Sequence, residues 1–315
     1  MTEIVLAVNY QPDVMAEAMT KVASEFGVKI TFSIEDEPLG TAGPIGLARK
    51  ILSQDSSPFF VLNSDVICNF ALTDLLNFHV SHGGEGTIMT TPVLDPTKYG
   101  VVLLKGESTI IQRFVEKPTE YVGNQINAGI YIFNPKMLDR IGAGPCSIEK
   151  EIFPKMARDG QLHATPLKGF WADVGQPKDF LSGTSLYLQA LVTRSPSDLS
   201  KHSSVTGNVL IDPTAKIGAN CKIGPDVVIG ADVTIGDGVR LQNCVLMRGS
   251  TCKDFSMVKD SIVGWHSSVG RWARIDNTTI LGEDVHIIDQ VFCNGATVLP
   301  HKSVKEDIMS PQIVM

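Results

Sequence analysis

The sequence predicts an α/β domain built on a mostly parallel sheet, followed by a parallel β-helix. Three observations carry this reading. Strand and helix periodicities alternate over residues 1–191. A stretch at 192–207 holds five serines and little apolar pattern, which reads as a linker. From 208 to 315 the apolar period becomes six.

In the first part, Thr2 to Val8 is a short apolar run suited to a strand. Met15, Ala18, Met19, Val22 and Phe26 recur at helical spacing, and Gly27 fits the helix exit. Val28, Ile30, Phe32 and Ile34 alternate as a strand does. Gly43-Pro44 opens the next helix, with proline expected at its first position. Phe59 to Leu62 reads as a buried strand ending at Asn63-Ser64-Asp65. Further strands are expected at Gly86–Val93, Gly100–Leu104, Ile110–Val115 and Ala128–Phe133, and a helix over Asp179–Leu191. Such alternation implies right-handed crossovers and a sheet covered on both faces, the Rossmann-like arrangement.

In the last part, Ile211, Ile217, Ile223, Ile229, Ile235 and Leu241 fall at steps of six. A second file, Cys221, Val227, Val233, Val239 and Val245, runs beside it. Each hexad makes one flat face of a coil, and the aliphatic files stack into a dry core. Val263, Val269, Ile275, Leu281 and Ile287 resume the step in a shifted phase. The shift between Met247 and Val263 is expected to mark a looped-out insertion.

Composition narrows the function. Apolar residues at 43% supply real cores, and charged residues at 19% argue against a disordered chain. A net charge of −7 disfavours general binding to nucleic acid or anionic membrane. No apolar run approaches the roughly 18 residues of a membrane span. The opening Met1-Thr2-Glu3 lacks the basic region of a signal peptide. Cys68, Cys146, Cys221, Cys244, Cys252 and Cys293 form no C-x-x-C pair, so they read as reduced packing residues of a cytoplasmic protein.

Several motifs invite chemistry. Leu39-Gly40-Thr41-Ala42-Gly43-Pro44 precedes a helix; its small residues either admit a ligand to backbone amides or make a tight turn. Asp65 lies beyond the carboxyl end of an apolar strand, where it can hold Mg²⁺ or cap a turn. In Glu116-Lys117-Pro118 the proline is expected to hold Lys117 extended and aim its ammonium; the alternative is a solvated strand end. Asn127 either bonds a hydroxyl or completes a turn. Asp173 is flanked by apolar residues, and an acid so placed is usually paired or coordinating.

Together these stretches resemble the sugar-nucleotide pyrophosphorylases, most closely the branch of catalytic mannose-1-phosphate guanylyltransferases. The matching runs follow family order: Glu37 to Pro44, Phe59 to Val66, Lys98 to Val102, Phe114 to Pro118, Ile126 to Gly129, Ser147 to Pro154, Gly169 to Phe180, the β-helix, and Pro311 to Met315. The resemblance implies a nucleotidyltransferase domain at 1–191, the linker at 192–207, and a left-handed parallel β-helix at 208–315. It places Gly40, Thr41 and Ala42 along the guanine, and Asp65 and Asp173 on Mg²⁺. It places Lys117 on the phosphate of mannose 1-phosphate, and Gly100, Glu116 and Asn127 on the sugar. The implied reaction is in-line attack of the sugar phosphate on the α-phosphorus of GTP. It gives GDP-mannose and pyrophosphate and needs no general base.

One departure stands out. The family opens with a strand and a loop of the form G-G-x-G-T-R, and none of the 28 glycines lies in a G-x-G-T-R. The expectation is therefore an N-terminally truncated chain with two unpaired sheet edges and little or no activity. Competing readings are a non-catalytic regulatory subunit and a hexapeptide-repeat acyltransferase using His266, His286 or His301 as base. The resemblance also implies homo-oligomers, or hetero-oligomers with a related regulatory subunit, formed through the β-helix.

Overall fold

The computed structural model describes residues 2–9 and 12–315, arranged in two units. The first comprises 1–64 and 70–168, the second 65–69 and 169–315. In chain order the strands and α-helices up to residue 194 are β1 (Glu3–Val8), α1 (Pro12–Phe26), β2 (Lys29–Ile34), α2 (Gly43–Leu47), α3 (Arg49–Leu52), β3 (Phe59–Leu62), β4 (Val66–Cys68), α4 (Leu72–His82), β5 (Gly86–Pro92), β6 (Gly100–Leu104), β7 (Ile111–Glu116), β8 (Gln125–Phe133), α5 (Phe153–Arg158), β9 (Leu162–Pro166), β10 (Trp171–Asp173) and α6 (Pro177–Arg194), with a 3-10 helix at Pro135–Arg140 and a π-helical turn at Ile148–Ile152.

In the first unit, β1 and β2 pair in parallel, and the main sheet runs β7-β6-β8-β5-β9 with β3 also on β8. Strands β3, β5, β6 and β9 share one direction, while β7 and β8 run the other way. The short connections around β6, β7 and β8 cause the reversal, since a parallel crossover needs a dozen or more residues. Among the described residues β1 and β3 each have a single strand partner. This corrects the expected buried strand at 59–62: Leu62 is 40% exposed. Tyr131, Phe133, Phe153 and Phe114 pack ring against ring over the sheet and form the centre of this core.

One polar cluster lies inside this unit. His79 and His82 of α4 both meet the Thr87 hydroxyl, at 2.9 and 2.8 Å. His82 stacks on His163 of β9 with centroids 3.8 Å apart, and His163 Nδ1 meets Thr109 Oγ1 at 3.0 Å. Burial pushes all three imidazoles below their ordinary pKa, His82 to about 4.

In the second unit, α6 and the antiparallel β4–β10 ladder accompany a β-solenoid. One solenoid face stacks strands 216–217, 234–235, 251–252, 268–269, 286–287 and 303–304 in parallel, one per coil. Their aliphatic residues, with Cys221, Cys244, Cys252 and Cys293, form one continuous dry core. All six cysteines are free thiols. Corner residues such as Asn220, Asp232, Asn243 and Asp260 adopt positive φ, which asparagine and aspartate tolerate better than most residues.

Two expectations need correction. No insertion loops out between Met247 and Val263. Strands 240–246, 251–252 and 257–263 of this stretch are all laddered to their neighbours, and the offset between coils falls from 18 residues at Ile223–Leu241 to 17 at Val227–Cys244. The lost residue moves the file by one position, so Cys244 and Leu246 point into the core and Val245 points out, against Leu181 and Ile262.

Candidate active site

The Leu39–Ala42 loop is strapped to the segment before α5. Ala42 N–H donates to the Cys146 carbonyl at 2.9 Å, and Cys146 N–H donates to Leu39 O at 2.9 Å. Gly40 sits at φ +74, and a Cβ there would lie 2.7 Å from Cys146 O, so glycine is required on both counts. The Thr41 hydroxyl donates to Glu149 Oε2 at 2.5 Å and accepts from Ile148 N–H at 2.9 Å. Ser147 Oγ donates to the same Glu149 oxygen at 3.0 Å. The loop is thus both a tight turn and a braced one.

Gly100 and Glu116 face each other across the β6–β7 ladder. A Cβ on Gly100 would lie 2.3 Å from Phe114 Cζ and 2.8 Å from Glu116 Oε2. Burial holds the Glu116 carboxyl above its ordinary pKa, with Glu149 adding repulsion and Lys117 and Lys150 opposing it. Two carboxylates and two lysines therefore share one neighbourhood around the braced loop.

Lys117 is exposed, but its backbone is not extended. Its φ is +45, in the left-handed region. The following proline disfavours right-handed α, and Lys117 N–H is committed to Tyr99 O at 3.1 Å while the chain turns away. A non-glycine residue held there stores strain of the kind found at functional sites.

Asn127 completes a turn: its Oδ1 accepts from Gly129 N–H at 2.9 Å, and its Nδ2 donates to Tyr131 Oη at 2.7 Å. Each side-chain group retains capacity for one more bond. Gly129, at φ +73, lies against the Asn63 side chain, and Asn63 N–H donates to Gly129 O at 2.9 Å.

Asp65 and Asp173 meet in the second unit. Trp171, Ala172 and Asp173 pair antiparallel with Cys68, Ile67 and Val66, and Val174 N–H closes the ladder on Asp65 O at 2.7 Å. A point built off the Gly175 α-carbon lies 3.2 Å from Asp173 Oδ1 and 3.6 Å from Asp65 Oδ2, so both carboxylates flank one space. Gly175 N–H donates to Asp173 Oδ1 at 2.9 Å and orients it. Among the described residues no group of three or more His, Cys, Asp or Glu could hold a metal. Two hard oxygen donors without a full protein cage suit Mg²⁺, which keeps water and takes phosphate oxygens for its remaining positions.

Sequence reading assigned no role to Glu149 or Lys150. The run Ser147 to Pro154 shows no period that marks either; only the tertiary bond from Thr41, 108 positions away, reveals Glu149 as the brace.

A nucleotidyl transferase profile matches residues 1–190, and a profile described as GMPPB C-terminal domain matches 205–314. A mannose-1-phosphate guanyltransferase of Aspergillus oryzae is 61% identical over all of this chain and 87% of its own length. One of Gibberella zeae is 60% identical with the same coverage. The crystal structure of HddC from Yersinia pseudotuberculosis superposes with a TM-score of 0.50 at 27% identity, covering 58% of this chain and 77% of that one.

Proposed function

The chain belongs to the mannose-1-phosphate guanyltransferase family of nucleotidyl transferases, and from that premise we propose that it joins GTP to mannose 1-phosphate, giving GDP-mannose and pyrophosphate. The observation that carries the reading at the level of residues is the Asp65–Asp173 pair, brought together by the β4–β10 ladder.

The attacking oxygen belongs to a phosphate already ionised at neutral pH, so the protein need not remove a proton. Its task is to position two anions in line and to offset their repulsion. Lys117 receives the sugar phosphate. Gly100 leaves the space beside Glu116 that a side chain would fill, and Glu116 and Asn127 turn polar groups to the sugar hydroxyls. Gly40, Thr41 and Ala42 form the ledge for guanine, with Glu149 holding Thr41 in place. Asp65 and Asp173 would hold Mg²⁺, which when bound supplies positive charge against the phosphates.

The same proposal takes 1–191 as the catalytic module, 192–207 as the linker and 208–315 as the β-helix. It includes assembly through the β-helix, with a second copy or a related regulatory subunit, and residence in the cytoplasm. Six free thiols support that location. Among the described residues no helix is long and apolar enough to cross a membrane.

The test is pyrophosphate release from GTP with mannose 1-phosphate, beside ATP and glucose 1-phosphate. Release should require both preferred substrates and Mg²⁺, and D173N should lower it by about 10²–10³. A D173N enzyme that matches the unsubstituted chain would remove the foundation of the site assignment.

A further inference from the structure

We propose that Gly183, in the middle of α6, is a positioning residue for the Asp65–Asp173 pair. It rests on the reading that these carboxylates hold Mg²⁺. Glycine is a poor residue for the interior of an 18-residue helix, where alanine is favoured. Packing accounts for its presence here. Gly183 is buried, and a Cβ on it would lie 2.7 Å from Val174 Cγ1, 3.3 Å from Ile67 Cγ2 and 3.5 Å from Ala172 Cβ.

Those three neighbours are the ladder that carries the acids. Ala172 and Val174 flank Asp173 in the chain. Ile67 pairs with Ala172, two residues beyond Asp65. Val174 N–H is also the donor that ties β10 to Asp65. The bare helix face at Gly183 lets this ladder lie flush on α6.

Another side of the helix is fixed. Leu181 packs with Val245 and Ile262 of the solenoid, and Phe180, Val228, Met247 and Ile280 close around them. The helix cannot retreat from an added methyl without opening that seam. The ladder must move instead, or Val174 must leave its rotamer. Ordinary contact begins near 3.4 Å, so relieving a 2.7 Å approach takes about 0.7 Å of movement. That exceeds the roughly 0.5 Å within which a metal or catalytic constellation must be held.

The experiment measures Mn²⁺ binding to the full chain by electron paramagnetic resonance, with Mn²⁺ alone as the probe. The variants are G183A, V174A, the double variant G183A/V174A, and D173N. D173N should weaken binding most. G183A should weaken it by about tenfold, the scale seen when a supporting contact behind a metal ligand is lost. The double variant should bind within about twofold of V174A alone, because the clash is removed with its partner. G183A binding as tightly as the unsubstituted chain, with D173N impaired, overturns the inference. No binding by the unsubstituted chain, or undiminished binding by D173N, overturns the metal reading and this inference with it. If G183A does not fold, Val174→Ile crowds the same contact from the strand side, and unchanged Mn²⁺ affinity there overturns the inference.

Discussion

Acid should begin to loosen the first unit near pH 6.5, and His82 is the reason. Its imidazole is pushed from 6.5 to about 4, first by burial and then by the neighbouring His163 and His79. The folded state therefore prefers the neutral ring, whereas the unfolded chain takes up a proton as pH falls below about 6.5. Stability is fully present above 6.5 and declines down to about 4, at about 1.4 kcal/mol per pH unit for one proton. The full span gives about 3 kcal/mol. Solvent contact at the partly buried ring lowers that to about 2 kcal/mol. His79 and His163 shift in the same direction and add to the slope.

Glu85 does not contribute in this window. Although burial raises its pKa, Arg140 and Lys136 hold it below 4.5 overall, so its loss comes at lower pH. Glu116 is raised above 4.5 and acts in the opposite sense, which makes a difference measurement the diagnostic one. The assay is urea denaturation by circular dichroism at pH 7.5, 6.0 and 5.0, comparing the unsubstituted chain with H82Q, whose amide can still bond Thr87. The decline between pH 6.5 and 5 should be shallower in H82Q by up to one proton's worth. Parallel curves for the two proteins would refute the reasoning.

Three further outcomes are expected. G100A places a methyl against Phe114 and Glu116 and should cost about 1–3 kcal/mol in unfolding free energy, with a raised KM for mannose 1-phosphate. K117M should raise that KM by about 10–100-fold while leaving the KM for GTP within about twofold, since a charge-assisted bond to phosphate contributes about 1.5–3 kcal/mol; equal effects on both constants would count against the assignment of Lys117. L246A removes a fully buried side chain from the solenoid and should lower stability by about 2–5 kcal/mol in thermal or urea unfolding.

The parts of this molecule legible in its sequence are those written in periodic apolar residues. The hexad files announce the solenoid because stacking coils repeat the same inward position, α1 follows from helical spacing, and α2 from the proline at its start. The misreadings share another cause. Val245 keeps the six-residue step, yet the residue dropped between Leu241 and Cys244 turns it outward, and only the ladder register shows this. The left-handed backbone of Lys117 depends on where Tyr99 lies. Asp65 and Asp173 were each ambiguous alone; their antiparallel ladder, made by residues more than a hundred positions apart, brings them together. Glu149 stayed hidden for the same reason, because a brace has no signature until the loop it braces is in view.

The solenoid also determines which changes of length this protein can survive. Equivalent strands recur at 216, 234, 251, 268, 286 and 303, each resting only on the coils before and after. Coils of 17 and 18 residues coexist, because one residue is dropped at the Leu241–Cys244 corner while the strands downstream keep their rungs; a residue lost inside a strand would instead reverse which side chains face the core. Excising one complete circuit merely shortens the column and lets the severed ends rejoin on matching rungs. For this half of the chain, length can therefore change by one residue at a corner or by a whole storey, but not by one residue within a rung.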